Sequence, residues 1–153
     1  MKFVNKQLAI KLKEKGFDKP CFGWYRRNDG LTKPQLYYTN GGTLYNKASN
    51  FADSINFIDA PTIDQVLEWL REKDIIVFCN PFFTMATKNH IMYEWNVDVF
   101  NVDTEDTKED NKNVCLTYVD NDFGYVRYSS FDCFANYDDA ILAGIKFVVN
   151  DLI

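Results

Sequence analysis

The sequence predicts an α+β fold, in which one mainly antiparallel sheet of about five to six strands carries three helices packed on one face. The predicted elements follow the order helix, two strands, helix, about four strands and a final helix. Short turns between consecutive strands favour antiparallel pairing. With 153 residues, of which 46% are hydrophobic and 16% aromatic, the chain can build a full core. We therefore predict a single domain over residues 1–153.

The first helix is predicted from the residues at its two ends. Asn5 can accept hydrogen bonds from the free amides of a first turn, and Gly16 tolerates the left-handed backbone that often follows a last turn. Val4, Leu8 and Leu12 recur every four residues, which places them on one side of the helix.

Two aromatic-rich strands follow this helix. The segments CFGWYRR and QLYYT are typical of strands, and the turn-forming NDGLTKP separates them. Residues 39–60 show little periodicity and many Asn, Gly and Ser residues, so we predict a long loop there.

The second helix, APTIDQVLEWLREK, has the clearest pattern in the chain. Thr62 and Gln65 have the spacing of a capping box, in which each side chain accepts from the other residue's backbone amide. The apolar residues that share one face of the helix are Ile63, Val66, Leu67 and Leu70.

The remaining segments predict strands and a closing helix. IIVFC is apolar throughout and indicates a buried strand, while HIMYEWNVDVF alternates apolar and polar residues as a strand with one polar face does. NVCLTYV and FGYVRYS predict two more strands. A last helix is expected from about Tyr137, with Asn136 as its N-cap.

Two acidic segments raise the question of metal binding. In YVDNDFGYVRY, Asp120 and Asp122 have the spacing of the first ligands of an EF-hand loop, but its sixth and twelfth positions hold Tyr125 and Phe131. Asp, Asn and Gly are also the residues of hairpin turns, so we predict a hairpin. The segment 98–110 contains six carboxylates and one lysine. It is interpreted as a solvated hairpin tip, with a weak cation site or an imitation of nucleic acid as the alternatives.

The basic residues are concentrated in the first third of the chain. Residues 1–33 carry nine Lys or Arg against three Asp or Glu, although the net charge of the chain is −5. In FGWYRR, the aromatic Trp24 and Tyr25 precede Arg26 and Arg27, as in a platform for nucleic-acid bases. An acidic protein is repelled by phosphates at long range, so nucleic-acid binding is kept as the alternative function.

Catalysis has little support in the sequence. His90 is the one histidine, and the cysteines lie in apolar, strand-like segments where buried, inert thiols are usual. A cysteine-based enzyme is the weakest of the hypotheses, and no catalytic residue, metal or cofactor is predicted. The absence of an apolar signal core, a membrane-length apolar run and a dense cysteine framework favours a cytoplasmic protein without a membrane span.

The surplus of aromatic residues favours a binding function. Trp24, Trp95 and the nine tyrosines have polar tips that need partners, and Tyr and Trp are enriched where proteins meet. A heavy aromatic core explains them equally well. We predict association with a protein partner or a second copy, with Trp24, Tyr25, Trp95 and residues 41–59 as surface candidates.

Three segments carry a resemblance to a known group of proteins. KLKEKGFDKPCF, APTIDQVLEWLREK and YDDAILAGIKFVVNDLI together contain 43 of the 153 residues. In this order they resemble small uncharacterised proteins encoded in phages and prophages of gut anaerobic bacteria. The resemblance implies a phage-related accessory protein and carries over no catalytic residue.

Overall fold

The computed structural model describes residues 2–27, 34–38, 56–87, 90–101, 116–120, 126–130 and 134–153. These residues belong to two compact units, Met1–Trp69 and Leu70–Ile153, and each unit is described by itself. The helices are α1 (Lys6–Glu14), α2 (Ile63–Arg71) and α3 (Tyr137–Phe147), which continues as a π-helical segment (Val148–Leu152). The strands are β1 (Gly23–Arg26), β2 (Leu36–Tyr38), β3 (Phe57–Ala60), β4 (Ile75–Thr87), β5 (His90–Asn101), β6 (Leu116–Asp120) and β7 (Val126–Ser130).

The first unit contains α1 and an antiparallel sheet in the order β2-β1-β3. The predicted N-cap is confirmed, because the Leu8 amide donates to Asn5 Oδ1 at 2.9 Å. Gly16 follows the helix with a φ of 87°, the left-handed conformation that glycine adopts at least cost. The buried core of this unit includes Val4, Leu8, Leu12, Phe17, Tyr25, Ile58 and Val66.

The capping box of α2 is also confirmed. The Thr62 amide donates to Gln65 Oε1 at 3.0 Å, and the Gln65 amide donates to Thr62 Oγ1 at 3.3 Å. Two backbone donors at the start of the helix are therefore satisfied by side chains, as the Thr62–Gln65 spacing predicts.

The end of the predicted long loop is a strand, so that prediction was wrong for Phe57–Ala60. These residues form β3, which pairs with β1 in the register Gly23↔Ala60 to Arg26↔Phe57. Burial of Ile58 and Ala60 stabilises the strand although its four residues are too few to show a period. Residues 39–55 of that loop lie outside the described residues.

The second unit contains a four-stranded antiparallel sheet in the order β4-β5-β7-β6. β4 is much longer than the predicted IIVFC strand, because it continues through Asn80 and Pro81 to Thr87. β5, which pairs with it, confirms the predicted strand HIMYEWNVDVF. β6 and β7 pair antiparallel on either side of residues 121–125, which agrees with the predicted hairpin in YVDNDFGYVRY. The turn itself lies outside the described residues.

Helix α3 packs on one face of the second sheet. The Asp139 amide donates to Asn136 Oδ1 at 2.9 Å, which confirms the predicted N-cap. A methyl group added to Gly144 would lie 2.5 Å from a Val77 methyl and 2.6 Å from a Val97 methyl. The helix approaches the strands this closely because glycine has no side chain.

The α+β class, the antiparallel pairing and the three helices are confirmed. The strands nevertheless divide between two sheets, of three and four strands, whereas the sequence predicts one sheet of about five to six. β3 turns back to pair with β1, and β4 pairs with the strand that follows it, so α2 separates the two sheets along the chain. The single-domain organisation stays a prediction.

Candidate interaction surface

The face of the second sheet opposite α3 carries exposed apolar side chains. Side chains of successive strand residues point to opposite faces, and Val77, Val97 and Val99 approach Gly144 of α3. Their neighbours in the sequence therefore lie on the other face, which we call the open face. Its described side chains are Ile76, Phe78, Asn80, Glu94, Asn96, Asp98, Phe100, Arg127 and Ser129.

Ile76 and Phe78 are 48% and 51% exposed, while Ile75 and Val77 beside them in the strand are buried. The prediction that IIVFC is a buried strand was therefore wrong for these two positions. An unbroken run of apolar residues occurs both in strands that are buried on two faces and in strands that leave half of their side chains exposed. The sequence pattern therefore does not distinguish the two cases. The polar face predicted for HIMYEWNVDVF is confirmed for Glu94 and Asn96, which are half-buried on the open face.

Asp98 organises the polar part of the open face. Its side chain is buried, and its Oδ2 accepts from Asn80 Nδ2 at 2.8 Å and from an Arg127 terminal nitrogen at 3.1 Å. Ser129 Oγ donates to Asp98 Oδ1. Three strands contribute to this network, because Asp98 of β5 pairs with Phe78 of β4 and with Ser129 of β7. A buried carboxylate needs such donors to offset the loss of its hydration.

This finding corrects the interpretation of the acidic segment 98–110 at its first residue. Asp98 is a buried strand residue, and it does not belong to a solvated hairpin tip. Strand pairing places Asp98 between β4 and β7, which supply its hydrogen-bond donors. The sequence pattern does not show which strands pair, so it does not reveal these donors. Residues 102–110 lie outside the described residues, so the cation-site alternative stays untested there.

Arg127 connects the buried carboxylate with the surface. Its guanidinium carbon lies 5.8 Å from the centre of the Phe100 ring, a cation–π geometry. The side chain is 41% exposed, whereas that of Asp98 is 4% exposed. Of the five N–H donors of a guanidinium, the described residues accept one, through Asp98. Arg127 is therefore held in position while part of its donor group faces outward.

The nearby Cys79 lies on the opposite side of β4 and does not suit nucleophilic chemistry. Burial raises the pKa of its thiol to about 12, and the negative charge of Asp98 raises it as well. Burial raises the pKa of Cys21 to about 12, with a further increase from Asp59 and an opposing effect of Lys13. At neutral pH both groups are thiols, and the thiolate is the nucleophilic form.

The predicted site residues of the first unit fall into two kinds. Tyr25 is buried, and its hydroxyl donates to the Val4 carbonyl oxygen at 2.7 Å, so it does not lie on the predicted surface. Trp24, its neighbour in β1, is half-buried and stacks on Tyr37 with ring centres 6.3 Å apart. Arg26 and Arg27 are exposed.

Trp95 lies in β5 of the second unit and is half-buried. Its ring meets the Tyr137 ring edge-on with centres 5.2 Å apart, and its backbone exchanges hydrogen bonds with Phe134 at 2.9 and 2.8 Å. Sequence reasoning found this residue but missed Ile76, Phe78 and Arg127. The alternation of buried and exposed residues in β4 becomes visible only once α3 is known to cover one face.

Comparison with known proteins gives no match for this chain: no family model, no curated protein and no solved structure matches it. Within the described part of the chain, no helix has the length and apolar character needed to cross a membrane.

Proposed function

We propose that this protein acts by self-association, in which the open face of one copy binds the open face of a second copy. The main support for the proposal is the exposure of Ile76 and Phe78, each about half exposed, on the same sheet face as the Arg127 guanidinium that Asp98 holds in position. Interface centres are rich in aromatic residues and arginine, and a well-ordered arginine loses little conformational entropy on binding.

The distribution of charge on the open face favours a second copy as the partner. Arg127 lies level with Phe100 in β5, whereas Glu94 lies six residues away along the same strand. This separation corresponds to about 20 Å, at roughly 3.4 Å per residue. A two-fold axis near Asn96 and Asp98 would place Arg127 of each copy opposite Glu94 of the other. Symmetric dimers bring the same patch of two copies together in this self-complementary way.

The proposal includes an accessory role without catalysis, in a phage-related protein of the cytoplasm. The resemblance of three segments to phage-encoded proteins supports the phage relation. The two described cysteines, Cys21 and Cys79, are unpaired and buried, which supports a reducing compartment. Nucleic acid remains the less favoured partner, since Trp24 already stacks on Tyr37 and cannot offer both of its ring faces to bases.

Sedimentation equilibrium over a wide range of concentrations tests the proposal. We expect the wild-type protein to dimerise and Phe78→Ser to weaken dimerisation by at least about tenfold, as the loss of a half-buried aromatic contact implies. Tyr137→Ser is the matched control, because Tyr137 is 44% exposed and is not part of the open face. The control should dimerise like the wild type.

A charge reversal tests the orientation of the two copies. Glu94→Arg places a positive charge opposite Arg127 of the second copy, so we expect weaker dimerisation. Asp18→Arg makes the same change of charge at an exposed position in the first unit and should have little effect. A wild-type protein that stays monomeric at all concentrations would overturn the proposal, and so would equal effects of the face and control variants.

A further inference from the structure

A cavity in the first unit has the features of a small-molecule site. It lies between α1 and β3 and has a volume of about 220 Å³. A cavity of about 150 Å³ is large enough to hold benzene, so this volume is sufficient for a molecule of about the size of valine. Its lining residues are Ile10, Lys13, Glu14, Arg27, Phe57, Ile58 and Asp59.

The charged groups of the cavity are balanced in number and differ in depth. Asp59 is 8% exposed, and its Oδ2 lies 4.0 Å from Lys13 Nζ, whose side chain is 46% exposed. Glu14 and Arg27 are exposed, and the Arg27 amide donates to the Asn56 carbonyl oxygen at 2.8 Å. The cavity thus has an acidic group at its base, and its other charged groups are more exposed.

These charges and the apolar walls select for one kind of ligand. An inorganic anion would meet two carboxylates as well as two cations, and a simple cation would meet Lys13 and Arg27. A zwitterion satisfies both signs, with its ammonium group near Asp59 and its carboxylate near Arg27. Ile10 and Phe57 supply apolar surface for the rest of the molecule.

We propose that this cavity binds a free α-amino acid with a small apolar side chain, such as valine or leucine. The two charged groups would orient the ligand: the buried Asp59 would accept from the ammonium group, and the exposed guanidinium of Arg27 would donate to the carboxylate. The cavity belongs to the first unit, whereas the open face belongs to the second.

Backbone amide NMR titration of the full chain tests this proposal. We expect L-valine or L-leucine to shift the amide signals of Lys13, Glu14, Arg27 and Phe57 in a saturable manner at millimolar concentrations. Isovaleric acid lacks the ammonium group, and isoamylamine lacks the carboxylate. Both should bind at least about tenfold more weakly, since each loses a charge-assisted interaction.

Two adjacent arginines provide a matched pair of variants. Arg27→Ala should weaken L-leucine binding by about tenfold, because it removes the carboxylate partner. Arg26→Ala removes the same charge from an exposed neighbour that does not line the cavity, and it should leave the affinity unchanged. Asp59→Asn should also weaken binding, but the test does not depend on this variant because Asp59 is buried.

Three results would overturn the proposal. The first is no saturable shift with either amino acid. The second is equal binding of L-leucine and isovaleric acid, or of L-leucine and inorganic phosphate, because both results would mean a simple anion site. The third is an equal effect of Arg26→Ala and Arg27→Ala, which would indicate a general effect of charge.

Discussion

Substitution of Asp98 by Asn tests whether the carboxylate holds the open face together. The side chain is 4% exposed and accepts from Asn80, Arg127 and Ser129. Asparagine keeps the shape and one acceptor oxygen, but it loses the charge and turns an NH₂ group toward donors. We therefore expect the substitution to destabilise the fold.

The magnitude follows from the exposure of the partners. Hydrogen bonds to a charged group contribute about 1.5–3 kcal/mol each, and breaking a buried ion pair costs about 3–5 kcal/mol. Arg127 is 41% exposed, and Asn80 and Ser129 are half-buried, so these donors can form hydrogen bonds with water after the substitution. The loss of stability is therefore smaller than the sum of the separate interactions. We expect a decrease of about 2–4 kcal/mol in the free energy of unfolding.

Urea unfolding followed by circular dichroism measures this decrease. The slope of the unfolding free energy against urea concentration should not change, because the substitution alters stability and not the surface exposed on unfolding. Asp18→Asn is the control, because Asp18 is exposed and the expected change is within about 0.5 kcal/mol. A decrease below about 1 kcal/mol for Asp98→Asn would refute the reasoning, because it would mean that the network contributes no more than one ordinary hydrogen bond.

The other predictions concern single groups in the two units. Gly144→Ala should lower the free energy of unfolding by about 1–3 kcal/mol, because the new methyl group would overlap two valine methyls. Equal stability of variant and wild type in urea unfolding would contradict the close packing of α3. Tyr25→Phe should lower the free energy of unfolding in urea by about 1 kcal/mol, because it removes the buried hydrogen bond to the Val4 carbonyl oxygen. Burial raises the pKa of the Cys21 thiol from 9.0 to about 12, so the folded state favours the protonated thiol. The unfolded state loses the proton first as the pH rises. The free energy of unfolding, measured in urea at several pH values, should therefore decrease between pH 9 and pH 12 and show no effect of this thiol below pH 9. In alkylation at neutral pH, with mass spectrometry to locate the label, Cys21 and Cys79 should react only after unfolding, and fast reaction of either one would contradict their burial.

Local signals in the sequence predicted the helix ends correctly. Asn5, Asn136 and the Thr62–Gln65 pair are confirmed as caps because each acts over three residues, a distance that the sequence displays directly. The α+β class followed from the order of the elements.

Features that depend on distant pairing could not be predicted in the same way. β3 exists because β1 offers it a partner, and Tyr25 is buried while Trp24 is not because successive strand residues face opposite sides. The exposure of Phe78 likewise depends on which face of β4 helix α3 covers. These facts involve partners far away in the sequence, and periodicity carries no information about them.

The most direct measurement of self-association is an isotope-filtered NOE experiment on an equal mixture of labelled and unlabelled protein. We predict intermolecular NOEs from the Phe78 ring and the Ile76 methyl groups to open-face residues of the second copy. They should disappear in Phe78→Ser, measured under the same conditions. The absence of intermolecular NOEs from both side chains at the highest attainable concentration would contradict self-association through the open face, and so would NOEs that arise only from Trp24 and Tyr37.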